Sequence, residues 1–170
     1  MNIINGGKHA GNLLAPQEFM IAPYKATSMH EAMKWGMEVY AVLKANLKKT
    51  YGISAIAVGD EGGFAPMAIN NGEGALAEIC KAIEGAGLKG KVGICMDVAA
   101  SEMYNAEKKM YDLNFKGDKA ELLTGEQLGA LYMKWIKEFP IISIEDPFDE
   151  DDFTSYANLL ANIQKEKLGV

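Results

Sequence analysis

Two short apolar runs each end in a carboxylate. Val92-Gly93-Ile94-Cys95-Met96 leads into Asp97, and Ile141-Ile142-Ser143-Ile144 leads into Glu145. Near-continuous apolar runs of this length mark buried strands of the kind found in parallel sheets. A carboxylate at the C-terminal tip of such a strand points to where β/α barrels carry out their chemistry. Two acids aimed at one spot repel each other unless a cation lies between them. Hard carboxylate oxygens suit Mg²⁺, which completes its octahedron with water and substrate oxygens. The plainer alternative leaves each acid as the cap of a strand end or of the next helix.

Other residues add to this picture. Gly59-Asp60-Glu61-Gly62-Gly63 sets acids among glycines, which let a loop pass close to a ligand, although alone it also reads as an ordinary acidic turn. His9 lies in a glycine-rich loop, where an imidazole can donate to an anion or move a proton. His30 opens a helix and reads as a surface residue. Glu18 is a charge inside an otherwise apolar run, Phe19-Met20-Ile21-Ala22; a lone buried carboxylate is costly, so it must be paired, protonated or functional. Together these residues point to a small-molecule enzyme that uses a metal.

The elements that must position them follow from periodicity. Asn2–Asn5 and Gln17–Pro23 read as short strands, stopped by Gly6-Gly7 and by Pro23. Ser28-Met29-His30-Glu31 has the form of a capping box. Met29, Ala32, Met33, Gly36, Val39, Tyr40, Leu43 and Leu47 recur behind it at helical spacing, so a helix to about Lys49 should turn these residues inward. A second helix runs from about Gly72 to Gly85 or Gly87, with Leu76, Ile79, Cys80 and Ile83 inward. The polar stretch from Tyr104 to Gly117 reads as a surface excursion, with a hairpin as one form it can take. Thr124-Gly125-Glu126-Gln127 opens a third helix that Pro140 stops, and a fourth spans about Asp151 to Lys165. The order strand, strand, helix, helix, then strand-to-helix units describes an α/β domain with a parallel component.

Composition narrows the class. The 170 residues are enough for one core, and no segment approaches the roughly 20 apolar residues of a membrane span. The start lacks the basic-then-apolar pattern of a secretory signal. A net charge of −6 disfavours nucleic acid and anionic lipid as partners, and Lys44, Lys48 and Lys49 fall on the wet face of a helix. Cys80 and Cys95 sit in apolar runs without metal-ligand spacing and read as reduced thiols of a cytoplasmic protein.

Five stretches then align in one register with a known family: Asn5-Gly6-Gly7-Lys8-His9-Ala10-Gly11-Asn12, Gln17-Glu18-Phe19-Met20, Gly59-Asp60-Glu61-Gly62-Gly63-Phe64-Ala65-Pro66, Met96-Asp97-Val98-Ala99-Ala100-Ser101-Glu102 and Ser143-Ile144-Glu145-Asp146-Pro147-Phe148. Their order and spacing resemble enolases (phosphopyruvate hydratases) over essentially the whole chain. The loop Gly59–Pro66 and Gln17-Glu18-Phe19 favour enolase proper over other members of its superfamily.

The resemblance implies a partial enolase-type TIM barrel. Residues 1–170 would be the first part of the C-terminal barrel domain, with roughly four of the eight strands. The N-terminal domain and the second half of the barrel, with the lysine base, would lie outside it. It implies glycolytic, reversible, Mg²⁺-dependent dehydration of 2-phospho-D-glycerate to phosphoenolpyruvate, with this chain alone inactive.

The resemblance also implies roles. Asp97 and Glu145 would be metal ligands. Glu61 would protonate the departing hydroxyl, with Glu18 paired to it as the second catalytic carboxylate. His9, Glu18 and Glu145 would contact substrate. Removing a proton beside a carboxylate builds a dianionic enediolate, which needs a divalent ion; the enolase superfamily is itself a familiar case of a Lys or His base working with one or two Mg²⁺. Hydroxide leaves poorly unless an acid protonates it, and two close carboxylates can share the proton that keeps Glu61 ready.

Lys8 stands where the family often has serine, and points to solvent on the plain reading. Further implications are a homodimer for the complete protein, a cytoplasmic location, and a second role at cell surfaces. For that second role plasminogen is the implied partner of the charged stretch Met103–Asp112, whose plain reading is an exposed hairpin. A half barrel is also expected to leave two strand edges open and to fold poorly alone.

Overall fold

The computed structural model describes residues 1–170. Four strands form one sheet: β1 (Asn2–Asn5), β2 (Glu18–Ala22), β3 (Gly93–Asp97) and, separated in sequence by a smaller sheet, β7 (Ile141–Glu145). The smaller sheet holds β4 (Tyr104–Asn105), β5 (Met110–Asp112) and β6 (Leu122–Leu123). Helices α1 (Met29–Tyr51), α2 (Gly72–Gly85), α3 (Gly125–Glu138) and α4 (Phe153–Lys165) complete the chain.

β1 pairs antiparallel with β2, β2 antiparallel with β3, and β3 parallel with β7. The connections explain the directions. Between β2 and β3 lie two helices in tandem, each of which reverses the chain, so β3 returns antiparallel. Between β3 and β7 lies the single long helix α3, which brings the chain back parallel, as in a βαβ unit. This is the opening of a TIM barrel.

The sheet sorts its residues by face. Phe19, Ile21, Ile94 and Met96 are fully or almost fully buried, whereas Glu18, Met20, Cys95, Asp97, Ser143 and Glu145 lie at least partly open. That two-residue alternation is the pleat of the strands. β7 was expected to be a buried strand, yet Ser143 and Glu145 are exposed, because β7 is the last strand of the sheet. Both cysteines are free and partly buried, and burial pushes their thiols up.

Only one of the two sheet edges is open. The Phe64 amide donates to Ile3 O at 2.9 Å, and the Asn5 amide donates to Phe64 O at 2.9 Å, so the loop after α1 caps β1. The free edge is β7.

The capping signals at Ser28 and Thr124 both start helices, in different ways. Thr124 and Gln127 satisfy each other's amides, a complete capping box. Ser28 accepts from the Glu31 amide at 3.1 Å, but the Glu31 carboxylate turns to Thr27 instead. In α1 the buried stripe is Gly36, Val39, Leu43 and Leu47. Met29 and Met33, expected inward, are 77% and 53% exposed. A helix of 23 residues is about 35 Å long, roughly twice the span of a five-residue strand, so its first turns overhang the sheet. No helix is long and apolar enough to cross a membrane.

The stretch from Tyr104 to Gly117, expected at the surface, also contributes to the core. Lys108 and Lys109 are exposed at the β4–β5 turn, but Tyr111 is fully buried. Its hydroxyl donates to Asp152 Oδ2 at 2.7 Å and accepts from the Asp149 amide at 3.0 Å. Phe148 is the hub of this region, with Tyr111, Tyr132 and Tyr156 all edge-on to it at 5.5–6.0 Å between ring centroids. Tyr132, also buried, donates to Pro147 O at 2.9 Å. This cluster anchors the turn that follows Glu145. Phe148→Ala is expected to cost about 3–5 kcal/mol, seen as a lower urea midpoint at unchanged slope; a loss below about 1 kcal/mol would show that the ring cluster is not what holds the turn.

Candidate active site

Strand register builds the site. Asn5 lies opposite Glu18, Glu18 opposite Asp97, and Asp97 opposite Glu145. Residues directly opposite on neighbouring strands share a face, and the strands are about 4.8 Å apart. Three carboxylates and one carboxamide therefore form a single row across the sheet, at the end where β3 and β7 finish. Both metal candidates, Asp97 and Glu145, are adjacent members of it.

Local backbone features hold the row's far end. Asp97 Oδ1 accepts from the Ala99 amide at 2.9 Å, within a turn where Ala99 is left-handed at φ 49°. Asp146, directly after Glu145, is left-handed at φ 43°. Both strands thus turn sharply away just past their acids, leaving the carboxylates at the tip.

The row lacks positive charge. Burial, then the charges of Glu61, Asp97 and Glu145, pushes the Glu18 carboxyl above the usual range. Burial and the neighbouring Glu145 push Asp97 up as well. The only opposing charge among the main influences on Glu18 is His9. No three His, Cys, Asp or Glu side chains stand close enough to form a complete metal site. The donor set is a pair of adjacent, mutually repelling carboxylates, which suits an ion that takes few protein ligands and keeps its other positions for water and substrate.

Glu61 reaches the row from the loop Gly59–Pro66. The loop closes on itself through Gly62 N to Gly59 O at 3.0 Å and Gly59 N to Gly63 O at 2.9 Å, with Gly62 left-handed at φ 86°. Tyr40 of α1 stacks on Phe64 and donates to Gly62 O at 2.9 Å, fixing the loop from behind. Asp60 is exposed and takes no part in these contacts. Glu61 Oε2 accepts from Asn5 Nδ2 at 3.0 Å and from Asn2 Nδ2 at 3.3 Å, and Oε1 meets His9 Nδ1. Glu18 and Glu61 share no hydrogen bond; the charge of Glu61 reaches Glu18 through space.

His9 sits at the end of a short 3-10 turn, Gly7–His9, whose first residue is left-handed at φ 57°. Lys8 does not simply point to solvent; it pairs with Glu102 beyond β3. Lys116, from the loop after β5, donates to Gly7 O at 2.6 Å, and burial lowers its pKa. The His9 turn is thus tied down from three directions. His30 is exposed.

Asn2, Asn5 and Lys116 carry no signal of this role in the sequence. An asparagine ending a strand before two glycines reads as a stop, and Lys116 acts across 109 positions of chain. A hollow of about 570 Å³ lies elsewhere, between the first turn of α2 and α3, and none of the row's acids lines it. Of the row's acids, Glu145 lines a separate hollow of about 500 Å³ beside α4.

The same residues fall within a match to known proteins. Residues 1–169 match the family described as enolase, C-terminal TIM barrel domain. The chain is 56% identical to an enolase of Eimeria tenella over 165 residues, covering 95% of the chain and 37% of that protein. It is 56% identical to an enolase of Solanum lycopersicum over 168 residues, 97% of the chain and 37% of that protein. The chain therefore spans little more than a third of the length of these curated relatives.

The repulsion in the row has a measurable sign. Because Asp97 binds its proton more tightly in the folded chain, its contribution to stability is present at low pH and is lost as pH rises above the ordinary aspartate range of about 4. Asp97→Asn keeps an acceptor for the Ala99 amide and removes the charge. It should raise stability at pH 7 by roughly 0.5 kcal/mol and change it little below pH about 3.5. Urea midpoints at the two pH values would contradict this if the substitution were equally destabilising at both.

Proposed function

The chain belongs to the enolase family, and from that membership we propose that it supplies the strand-tip carboxylates of a phosphopyruvate hydratase, a lyase that reversibly dehydrates 2-phospho-D-glycerate to phosphoenolpyruvate with Mg²⁺. The observation that carries this reading is the register that sets Glu18, Asp97 and Glu145 side by side.

Asp97 and Glu145 are the residues that would hold the metal. When bound, Mg²⁺ offsets the negative charge that develops on the substrate carboxylate. Glu61 faces the same region from its loop and is placed to protonate the departing hydroxyl. Glu18, whose carboxyl is pushed up by burial and then by the charges of Glu61, Asp97 and Glu145, is the second carboxylate beside the substrate. With Nδ1 of His9 engaged by Glu61, its second ring nitrogen is left to meet a substrate hydroxyl.

The reaction needs a base strong enough to remove the carbon-bound proton, and the row offers only carboxylates. Two lysines at the His9 turn are both engaged, Lys8 by Glu102 and Lys116 by Gly7 O. The chain alone accordingly binds the metal without completing the reaction. The same reading makes the complete protein a cytoplasmic homodimer.

The purified chain should bind Mg²⁺ in calorimetric titration, and Asp97→Asn or Glu145→Gln should weaken that binding more than about tenfold. It should produce no ultraviolet absorbance of phosphoenolpyruvate from 2-phosphoglycerate. Metal affinity indifferent to both substitutions would remove the proposed ligands, and Mg²⁺-dependent turnover by the chain alone would remove the claim that the base lies outside it.

A further inference from the structure

Glu61 is a flexible side chain on a glycine-flanked surface loop, yet its proposed task requires a fixed direction. Unrestrained, a glutamate retains rotamer freedom worth up to about 2 kcal/mol, and a proton donor must be held to within about 0.5 Å of its working position. Neither Glu18 nor any lysine bonds to it. The restraint comes from β1.

Asn5 is fully buried. Its Oδ1 accepts from Asn2 Nδ2 at 2.9 Å, and its Nδ2 donates to Glu61 Oε2 at 3.0 Å. Its backbone is clamped as well: its amide donates to Phe64 O, and its carbonyl accepts from Asn12 Nδ2 at 2.9 Å. The opposite amide orientation would press oxygen against the carboxylate oxygen, so the donor must face Glu61.

The loop is cut to fit this amide. A Cβ at Gly63 would collide with Asn5 Oδ1, and one at Gly59 would lie 3.0 Å from Asn5 Nδ2. Two of the glycines around Glu61 thus clear space for Asn5. Asn5 is also the row's one member with a donor to give, opposite Glu18 in register.

We propose that Asn5, seconded by Asn2, is a positioning residue: its buried amide holds one oxygen of Glu61, so that the other faces His9 and keeps the His9 proton on Nδ1. This deepens the reading of Glu61 as the acid and rests on that reading for its functional meaning. In its ionised form, before it takes up the proton it delivers, Glu61 can only accept, so its hydrogen bond comes from Nδ1–H and the lone pair is left on Nε2.

The test reads orientation, not turnover. Ring ¹⁵N chemical shifts of His9 are recorded by NMR on the whole chain, at a pH where neutral imidazole prevails. The unaltered chain should show the Nδ1–H tautomer. Asn5→Asp, which keeps the shape and removes the donor, and the gentler Asn5→Ser should both lose that preference. The double exchange N5D/E61Q swaps the two groups between the positions. It should restore the preference, because the carboxamide introduced by E61Q can donate to the carboxylate introduced by N5D and still accept from His9.

A His9 tautomer unchanged in a folded N5D or N5S chain would overturn the proposal. If both single variants unfold, the exchange decides: a folded chain with the original His9 shifts supports it, and an unfolded one overturns it. Neither Mg²⁺ nor substrate enters the measurement. A failure of the proposed metal site would therefore appear in the calorimetric titration and leave this result standing.

Discussion

Carboxylates placed side by side on neighbouring strands repel one another, and Glu18, Asp97 and Glu145 are held that way by strand register. Like charges directly opposite in a sheet destabilise it. Burial first, and this repulsion after it, raises the Glu18 and Asp97 pKa values. A sheet optimised for stability alone would not keep this row. The other elements either hold the row in place or gather around its charge.

What holds it is an apolar face on the other side of the same strands. Phe19, Ile21, Ile94 and Met96 are buried beneath the helices and alternate with the outward-facing residues along the pleat. A slip of one residue would exchange the two faces, driving the acids into the core, so hydrophobic burial fixes the register at the acids' expense. Behind the turn that follows Glu145, the rings of Tyr111, Tyr132 and Tyr156 pack edge-on against Phe148 and bring in residues from separate parts of the chain. The small sheet β4-β5-β6 supplies Tyr111 to that cluster, and the loop after β5 supplies Lys116 to the His9 turn.

At the other end of the row, β1 has two tasks. Its edge is closed by Phe64, which also fixes the loop carrying Glu61. Its last residue, Asn5, is the one neutral member of the row and reaches Glu61 directly. Edge protection and the placement of an acid are therefore the same set of contacts. The left-handed turns at Ala99 and Asp146 complete the arrangement by carrying the backbone away from the acids, which leaves the carboxylates projecting at the sheet's end.

Element order, the α/β class and the identity of the strand-ending acids were legible without coordinates, because they depend on short-range periodicity and turn chemistry. Thr124–Gln127, the run Val92–Asp97 and the glycine stretch around Glu61 could be read for that reason. The long motifs also carried the family. Three other features needed the folded chain. Met29 and Met33 have helical spacing but overhang the sheet, since periodicity says nothing of where a helix ends relative to its partner. Tyr111 became core because a polar local sequence does not reveal what packs on it from Phe148. The contacts of Glu61 with Asn2, Asn5 and His9 join residues more than fifty positions apart, and no local pattern specifies a pairing across that separation. The residue types announced chemistry; the register of the folded strands, set by burial on their opposite face, brought those residues within reach of one another.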